Sequence, residues 1–194
     1  MKLIALYLTF SLLTINAQIV KTAPVKKDTI KVYNEGIVEL ANSVQKKWGS
    51  KKSTVIIVDF SKPMEVERLY VVDLDSQKII KSSKVCHGIG SGQTSIPSKF
   101  SNTPNSKMSS KGVMRTAESY NGEWGYAMRV DGLQDINSKV RSRAIVFHNA
   151  QVQHTPYSWG CFSIPKDDYK KVIDLTKGGS LIFVFSNNND IKSF

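Results

Sequence analysis

The chain has 194 residues, 41% of them apolar and 22% charged, so it is long and apolar enough to bury a core without disulfides or a structural metal. Its formal net charge is +11. The lysines are scattered, with no basic helix, zinc spacing or aromatic-glycine RNA motif, which argues against nucleic acid as a partner. The charge instead favours affinity for an anionic envelope polymer.

The chain starts with MKLIALYLTFSLLTINAQ, which has the layout of a secretory signal peptide. One early lysine, Lys2, precedes an apolar run over residues 3–13, and Ala17 stands before Gln18. The run is short for a membrane span, although an uncleaved anchor is the alternative. We expect a signal peptide over residues 1–17 and an exported protein that faces the periplasm or cell wall, with no stable membrane insertion after cleavage. Because Lys2 leaves with the leader, the mature charge is one less than the formal +11.

The next segments predict a linker, a helix and a group of strands. Residues 18–33 are rich in lysine without periodicity and are interpreted as a linker. Apolar residues at helical spacing then predict an amphipathic helix over residues 34–50. After the polar break GSKKS, short runs rich in Val, Ile and Tyr predict three strands: TVIIVDF, RLYVVDL and KIIKSSKV.

Residues 88–112 are poor in apolar side chains and rich in serine. A loop of this length in a compact domain usually serves as a lid or a binding loop, and a disordered insertion is the alternative. Two strands then flank the hairpin signal Asn121-Gly122. Further on, AIVFH predicts a strand, PKDDYKKVIDLT a helix and GGSLIFVF a final strand, before a polar tail over residues 188–194 that we expect to fray.

Strands therefore dominate, and the helices are few. This pattern predicts a mainly β fold, a β-sandwich or partly open barrel with two or three peripheral helices, whose main domain covers residues 51–187.

The segment VFHNAQVQHTPYSWGCFSIP holds the residues best suited to chemistry. His148 ends a predicted strand, and Cys161 follows in SWGC. A histidine can serve as the base for a cysteine nucleophile, and Gly160 permits the sharp turn that points N–H groups at an oxyanion. The number of cysteines alone favours another interpretation. Two cysteines in an exported protein predict a disulfide between Cys86 and Cys161.

The stretch HNAQVQHTPYSWGC is similar to the signature of the murein L,D-transpeptidase catalytic-domain family, in which His is followed by Ser or Thr, a variable residue and Gly-Cys. Further blocks over residues 54–185 resemble that family in the same order: VDFSKPMEVERLYVVDL, VCHGIGSG, KFSNTPNSKMSSKGVMRTAESYNGEWG, RVDGLQDINSKVRSRAIVFH and GGSLIFVF. The resemblance implies an L,D-transpeptidase-like β-sandwich domain that acts on peptidoglycan stem peptides.

The resemblance also implies a mechanism. Cys161 would attack the carbonyl that precedes the terminal D-alanine of a tetrapeptide stem, often that of meso-diaminopimelate. D-Alanine would leave, and the acyl group would pass to an amine or to water. His148 would be the general base, the backbone carbonyl of Asn149 would orient its imidazole, and the N–H groups of Trp159, Gly160 and Cys161 would hold the oxyanion.

Other residues are candidates for substrate binding. Arg143 could pair with a stem carboxylate, or lie on a solvated helical face. His87 falls in a shared block and has either a substrate-side or a structural role. Ser158 is expected to fix the turn beside the substrate, and Trp159 to be a wall for the stem peptide or part of the core. His154 is expected to be a surface histidine.

The sequence departs from the family pattern at two positions: Asn149 stands where the family usually has Gly, and Phe162 where proline often follows the cysteine.

No cluster has zinc spacing, so we expect no metal. We also expect that the protein needs no cofactor and is a monomer. Two alternatives to a transpeptidase stay open. One is an L,D-carboxypeptidase that uses water as the acceptor, and the other is a non-catalytic cell-wall binding module.

Overall fold

A computed structural model describes residues 27–122, 125–150 and 156–194. The predicted signal peptide and residues 18–26 of the predicted linker lie outside these ranges. The helices of the described part are α1 (Lys27–Trp48), α2 (Lys166–Thr176) and α3 (Asn188–Ser193). Its strands are β1 (Thr54–Asp59), β2 (Leu69–Asp73), β3 (Lys78–Ser83), β4 (Gly112–Gly122), β5 (Gly125–Gly132), β6 (Val146–Asn149), β7 (Phe162–Ile164) and β8 (Leu181–Phe185).

The eight strands of the described part form one sheet, in the order β3-β2-β1-β8-β4-β5-β6-β7. The pairs β1–β8 and β6–β7 are parallel, and the other neighbours are antiparallel. The sheet order ends at β3 and β7, so the sheet is open. The predicted mainly β fold with peripheral helices is therefore confirmed, with its strands joined in a single sheet.

The central strand β1 is buried on both faces, which explains its unbroken apolar run. Its side chains alternate between two cores. Ile56 and Val58 pack in the core that also contains α2 residues, whereas Val55 and Ile57 pack in the core under α1. The sheet therefore separates an α2 side from an α1 side.

Helix α1 begins at Lys27, so the prediction of a linker up to residue 33 and a helix from residue 34 is wrong at this boundary. The extra turns are held by tertiary contacts. The Tyr33 hydroxyl donates a hydrogen bond to Asp59 Oδ2 (2.6 Å), and Lys62 Nζ lies 3.6 Å from the Tyr33 ring centre. These contacts are long-range, and Gly36 weakens the local helical signal.

The predicted frayed tail over residues 188–194 is also wrong, because most of it forms α3. Asn187 caps this helix by accepting hydrogen bonds from the N–H groups of Asn189 and Asp190. Asp190 in turn pairs with Lys111 at 2.5 Å. The capping residue and the ion pair offset the polar composition of the segment.

Strands β4 and β5 form the predicted antiparallel hairpin, and Gly122 pairs with Gly125. Asn121 and Gly122 therefore end strand β4 as paired residues. Within the described ranges, no helix combines the length and the apolar character needed to span a bilayer.

Candidate active site

His148 and Cys161 come from neighbouring parallel strands at one end of the sheet. His148 lies in β6 opposite Ser163 of β7, and Cys161 directly precedes β7. Phe147 and Phe162 pack in the core that contains α2 residues. Because side chains alternate along a strand, His148 and Ser163 face the opposite side of the sheet, and Cys161 shares the parity of Ser163.

The imidazole of His148 is held at both nitrogens. Its Nδ1 lies 2.9 Å from the carbonyl oxygen of Asn149, and its Nε2 lies 2.9 Å from Ser163 Oγ. Because a carbonyl only accepts, Nδ1 carries the hydrogen and Nε2 presents its lone pair to the Ser163 hydroxyl. Burial lowers the pKa of His148, so the ring is neutral at pH 7 and able to act as a base.

The thiol of Cys161 is free and partly exposed. Its sulfur lies 3.6 Å from the carbonyl oxygen of Ala144, to which the S–H donates. Burial raises the pKa of Cys161, while the N–H of Val146 and the charge of Arg143 oppose that rise. The thiol is therefore protonated at rest, with two groups in place to stabilise a thiolate.

The hydrogen bonds of His148 go to Asn149 and Ser163, and that of Cys161 goes to Ala144. Cys161 is two positions before Ser163, the residue opposite His148 on the neighbouring strand. This offset along the strand, together with the spacing between strands, corresponds to about 8 Å between the Cα atoms of Cys161 and His148. Side chains extending toward each other can bridge that gap. The structure thus brings the two residues to one place, and their action as a catalytic pair stays a prediction.

Ser158 fixes the turn that presents Cys161. Its hydroxyl donates to the carbonyl oxygen of Cys161 (2.8 Å) and accepts from the N–H of Gly160 (3.0 Å). The side chain is almost fully buried, and its contact with a substrate stays a prediction. Its place is inside the turn.

The Gly160 N–H, a predicted oxyanion donor, lies inside this turn. It is buried and already donates to Ser158 Oγ, so Trp159 and Cys161 remain the candidate donors. The glycine is required for another reason. Its φ is +114°, and a Cβ at this position would lie 2.7 Å from the carbonyl oxygen of Met108.

The guanidinium of Arg143, which is predicted to pair with a substrate carboxylate, is engaged by the neighbouring loop in this structure. Nη1 donates to Ser101 O (2.6 Å) and Ser110 Oγ (2.7 Å), and Nη2 donates to Met108 O (2.6 Å) and Ser106 Oγ (3.3 Å). All four terminal N–H bonds are therefore used, which leaves no bidentate face. Arg143 instead fastens the loop over residues 101–110 beside Cys161, and it is not the alternative solvated helical residue either.

His87 does not face the substrate, because it is fully buried. Its Nδ1 accepts from Arg68 Nη2 (3.0 Å), and its Nε2 donates to Gly92 O (3.0 Å). Burial lowers the pKa of His87 and lowers that of Arg68 to about 10. The His87 carbonyl accepts from the N–H of Ser158 (2.9 Å), so this residue supports the turn from below.

The long serine-rich loop is packed against the site, which removes the interpretation as a disordered insertion. Its buried serines serve as internal hydrogen-bond partners. Ser109 Oγ accepts from the N–H of Gly88 (2.9 Å), and the Ser109 N–H donates to Ser91 Oγ (2.8 Å). The loop backbone also lies close to Gly88, where a Cβ would be 2.3 Å from Lys107 O.

Trp159 is not a core residue, because 72% of its surface is exposed. Its indole lies under the ammonium of Lys107, 4.6 Å from the ring centre.

Cys86 and Cys161 are both free thiols, so the alternative disulfide between them is not formed. Burial raises the pKa of Cys86. The prediction for His154 falls outside the described residues.

Sequence analysis missed four residues that shape the site: Ser163, Lys107, Ala144 and Arg68. Ser163 could have been suspected, because it has the same strand parity as Cys161. The others were not visible, since each acts through a contact distant in sequence or, for Ala144, through a positive φ of 53°. In the described ranges, no group of His, Cys, Asp and Glu side chains is arranged to hold a metal ion.

The chain is similar to known proteins in sequence and in fold. The family model for the L,D-transpeptidase catalytic domain matches residues 25–185, and so includes α1 as well as the sheet. A search of curated proteins finds no match.

Several solved structures are similar to this chain. A fused Zn-dependent amidase/peptidase/peptidoglycan-binding domain-containing protein from Clostridium acetobutylicum has a TM-score of 0.51 at 16% identity, covering 84% of this chain and 65% of that one. Bd1075 of Bdellovibrio bacteriovorus has a TM-score of 0.46 at 18% identity, covering 73% of this chain and 52% of that one. An L,D-transpeptidase from Stackebrandtia nassauensis has a TM-score of 0.45 at 18% identity, covering 71% of this chain and 57% of that one. The present chain thus spans about half to two thirds of the length of these structures.

Proposed function

The chain belongs to the L,D-transpeptidase catalytic-domain family, and from this premise we propose that it is a cysteine-dependent peptidoglycan L,D-transpeptidase. The observation that carries the proposal is the placement of a free thiol, Cys161, directly before β7 and of a neutral imidazole, His148, on the neighbouring strand β6. A nucleophile, a base and a carbonyl that orients the base then come from one short part of the fold.

In the proposed reaction, Cys161 Sγ attacks the carbonyl that precedes the terminal D-alanine of a tetrapeptide stem. His148 Nε2 takes the thiol proton and delivers it to the leaving amine, and D-alanine departs. The thioester carbonyl is then attacked by an amine of a second stem, which forms the cross-link and regenerates the thiol. The fixed hydrogen bond from His148 Nδ1 to Asn149 O supports this role, because it keeps the lone pair on Nε2.

The oxyanion of the tetrahedral intermediate would be held by the N–H groups of Trp159 and Cys161. The positive φ of Gly160 between them turns the backbone sharply at this point. Ser158 holds the turn rigid through its two hydrogen bonds, so these donors need little reorganisation during the reaction.

The same acyl-enzyme passed to water would make the protein an L,D-carboxypeptidase. The two activities share every residue named so far and differ only in the acceptor. The third alternative, a non-catalytic binding module, is less well supported, because the thiol is reduced and partly exposed.

We also propose that the protein works outside the cytoplasm, in the periplasm or facing the cell wall, where peptidoglycan is found. The leader-like residues 1–17 support this location. The positive charge of the chain, +11 before removal of the leader, would favour its retention on an anionic envelope.

A carbapenem tests whether Cys161 is an acylating nucleophile. The reduced protein is incubated with the carbapenem, and its intact mass is measured. We expect one covalent adduct in the wild type and in Cys86→Ala, and none in Cys161→Ala. An adduct that persists in Cys161→Ala, or no adduct on fully reduced wild-type protein, would contradict the proposal.

A further inference from the structure

The indole of Trp159 lies on the surface immediately beside the proposed nucleophile. It is two residues before Cys161 in the turn that Ser158 and Gly160 hold in place. The turn backbone is therefore fixed while 72% of the Trp159 surface remains exposed. A large planar side chain in this position offers a preformed apolar surface at the mouth of the site.

Lys107 occupies the other side of this surface. Its ammonium is 4.6 Å from the Trp159 ring centre, a cation–π contact that joins the long loop to the SWGC turn. The backbone of Lys107 is anchored, because its carbonyl accepts from the N–H of Gly90 (2.9 Å). The side chain is exposed, so a fixed backbone presents a charge that solvent and ligands can reach.

This charge lacks a carboxylate partner in the described part of the chain, whereas other lysines have one. Lys81 pairs with Asp168, Lys111 with Asp190 and Lys177 with Asp174. The nearby Arg143 also adds positive charge, with its terminal N–H bonds already used by the loop.

We propose that Lys107 and Trp159 form a carboxylate-binding platform that positions the stem peptide for attack by Cys161. The peptide backbone would pack on the indole, and a carboxylate next to the scissile bond would pair with the ammonium of Lys107. The inference rests on the proposed function, since it names the chemistry of a substrate for that site. It also gives the role of carboxylate recognition to Lys107 in place of Arg143.

Two carboxylates flank the scissile bond of a meso-diaminopimelate tetrapeptide: the side-chain carboxylate of the third residue and the terminal carboxylate of D-alanine. The two can be distinguished by amidating each in turn. The carboxylate that binds Lys107 is the one whose amidation makes wild type and Lys107→Ala behave alike.

The first experiment measures binding without turnover. Tetrapeptide is titrated into Cys161→Ala by calorimetry, and again after adding Lys107→Ala, Lys107→Arg, Trp159→Ala or the control Lys78→Ala. Lys78 is an exposed lysine on β3, so its removal changes the net charge equally. An exposed ion pair is worth up to about fivefold in affinity. We expect a loss of about three- to fivefold for Lys107→Ala, at least as much for Trp159→Ala, near-complete rescue by Lys107→Arg and no change for Lys78→Ala.

The second experiment compares KM and kcat on the parent and amidated peptides with Cys161 intact. We expect Lys107→Ala to raise KM for the parent peptide three- to fivefold, with a small change in kcat. Turnover and tetrapeptide binding that are both insensitive to Lys107 would overturn the platform and leave the proposed function standing. Absence of turnover with carboxylate-dependent binding would overturn the transpeptidase proposal alone.

Discussion

The sulfur of Cys161 lies between groups of opposite electrostatic effect. The carbonyl oxygen of Ala144 accepts the thiol hydrogen, while the N–H of Val146 and the guanidinium of Arg143 favour a thiolate. Burial is the larger influence and raises the thiol pKa. Burial also lowers the pKa of His148. Both shifts favour a neutral thiol and a neutral imidazole over a thiolate–imidazolium pair in the resting protein.

This electrostatic balance predicts how thiol reactivity depends on pH. Only the thiolate is alkylated, so the rate should follow the ionisation of Cys161. Because its pKa is raised above the ordinary value of about 8.5, the rate of iodoacetamide labelling should still be increasing at pH 9 and show no plateau near pH 7.

The measurement is best made on Cys86→Ala, in which Cys161 is the remaining cysteine, with Cys161→Ala reporting the background from Cys86. A labelling rate that reaches its plateau below pH 7 would mean a preformed thiolate–imidazolium pair, contrary to this account.

At the scale of single residues, sequence reasoning placed Cys161 and His148 together and assigned a local partner, Asn149, whose carbonyl does contact the imidazole. It did not anticipate the hydrogen-bond partners of Arg143 and Gly160. The partners of Arg143 lie more than 30 positions away, from Ser101 to Ser110, and no local pattern encodes them. The Gly160 N–H has a partner only two residues away, but the need for it depends on how the turn is buried.

At the scale of elements, the loop over residues 88–112 is packed against the candidate site and is not a disordered insertion. Glycines let two backbone segments approach each other: a Cβ on Gly88 would meet Lys107 O at 2.3 Å, and one on Gly90 would meet Ser106 O at 2.3 Å. Arg143 then fastens the segment from its other side. Composition revealed the length and polarity of this loop, but its packing depends on contacts made after the chain has folded.

For helix α1, the sequence predicted the buried face correctly but not the position where the helix begins. The apolar face predicted from helical spacing is the face that is buried, with Ile37, Leu40 and Val44 in the core under the helix. The first turns were missed because they are held by Tyr33 and Asp59, which are 26 residues apart. The family match starts at residue 25, so the helix lies within the region that the family model matches.

Packing of α1 predicts a stability difference between two positions on the same helix. Leu40→Ala removes a buried side chain and should lower the free energy of unfolding by about 2–3 kcal/mol. Val32→Ala changes a residue that is 68% exposed and should alter it by less than about 0.5 kcal/mol. Urea denaturation of both variants under reducing conditions measures the difference. Equal effects at the two positions would show that α1 does not pack on the sheet as described.

At the scale of the whole molecule, the sheet has two different uses. Its α2 face and the part under α1 are filled with apolar side chains and provide stability. The β6–β7 end presents His148, Ser163 and Cys161 on the face away from the α2 core, where the long loop lies against the SWGC turn. The candidate reactive groups therefore lie at the end of an open sheet, outside both cores.

The central claim is that Cys161 transfers the acyl group of a tetrapeptide stem, and product analysis tests it most directly. Purified tetrapeptide muropeptides are incubated with wild type, Cys161→Ala and Cys86→Ala, and the products are separated and weighed by mass spectrometry. We predict that wild type and Cys86→Ala release one D-alanine for each cross-linked dimer, and that Cys161→Ala forms neither product. Tripeptides without dimers would replace the transpeptidase by the carboxypeptidase, whereas D-alanine release by Cys161→Ala, or no release by a wild-type protein with a reactive thiol, would contradict the account.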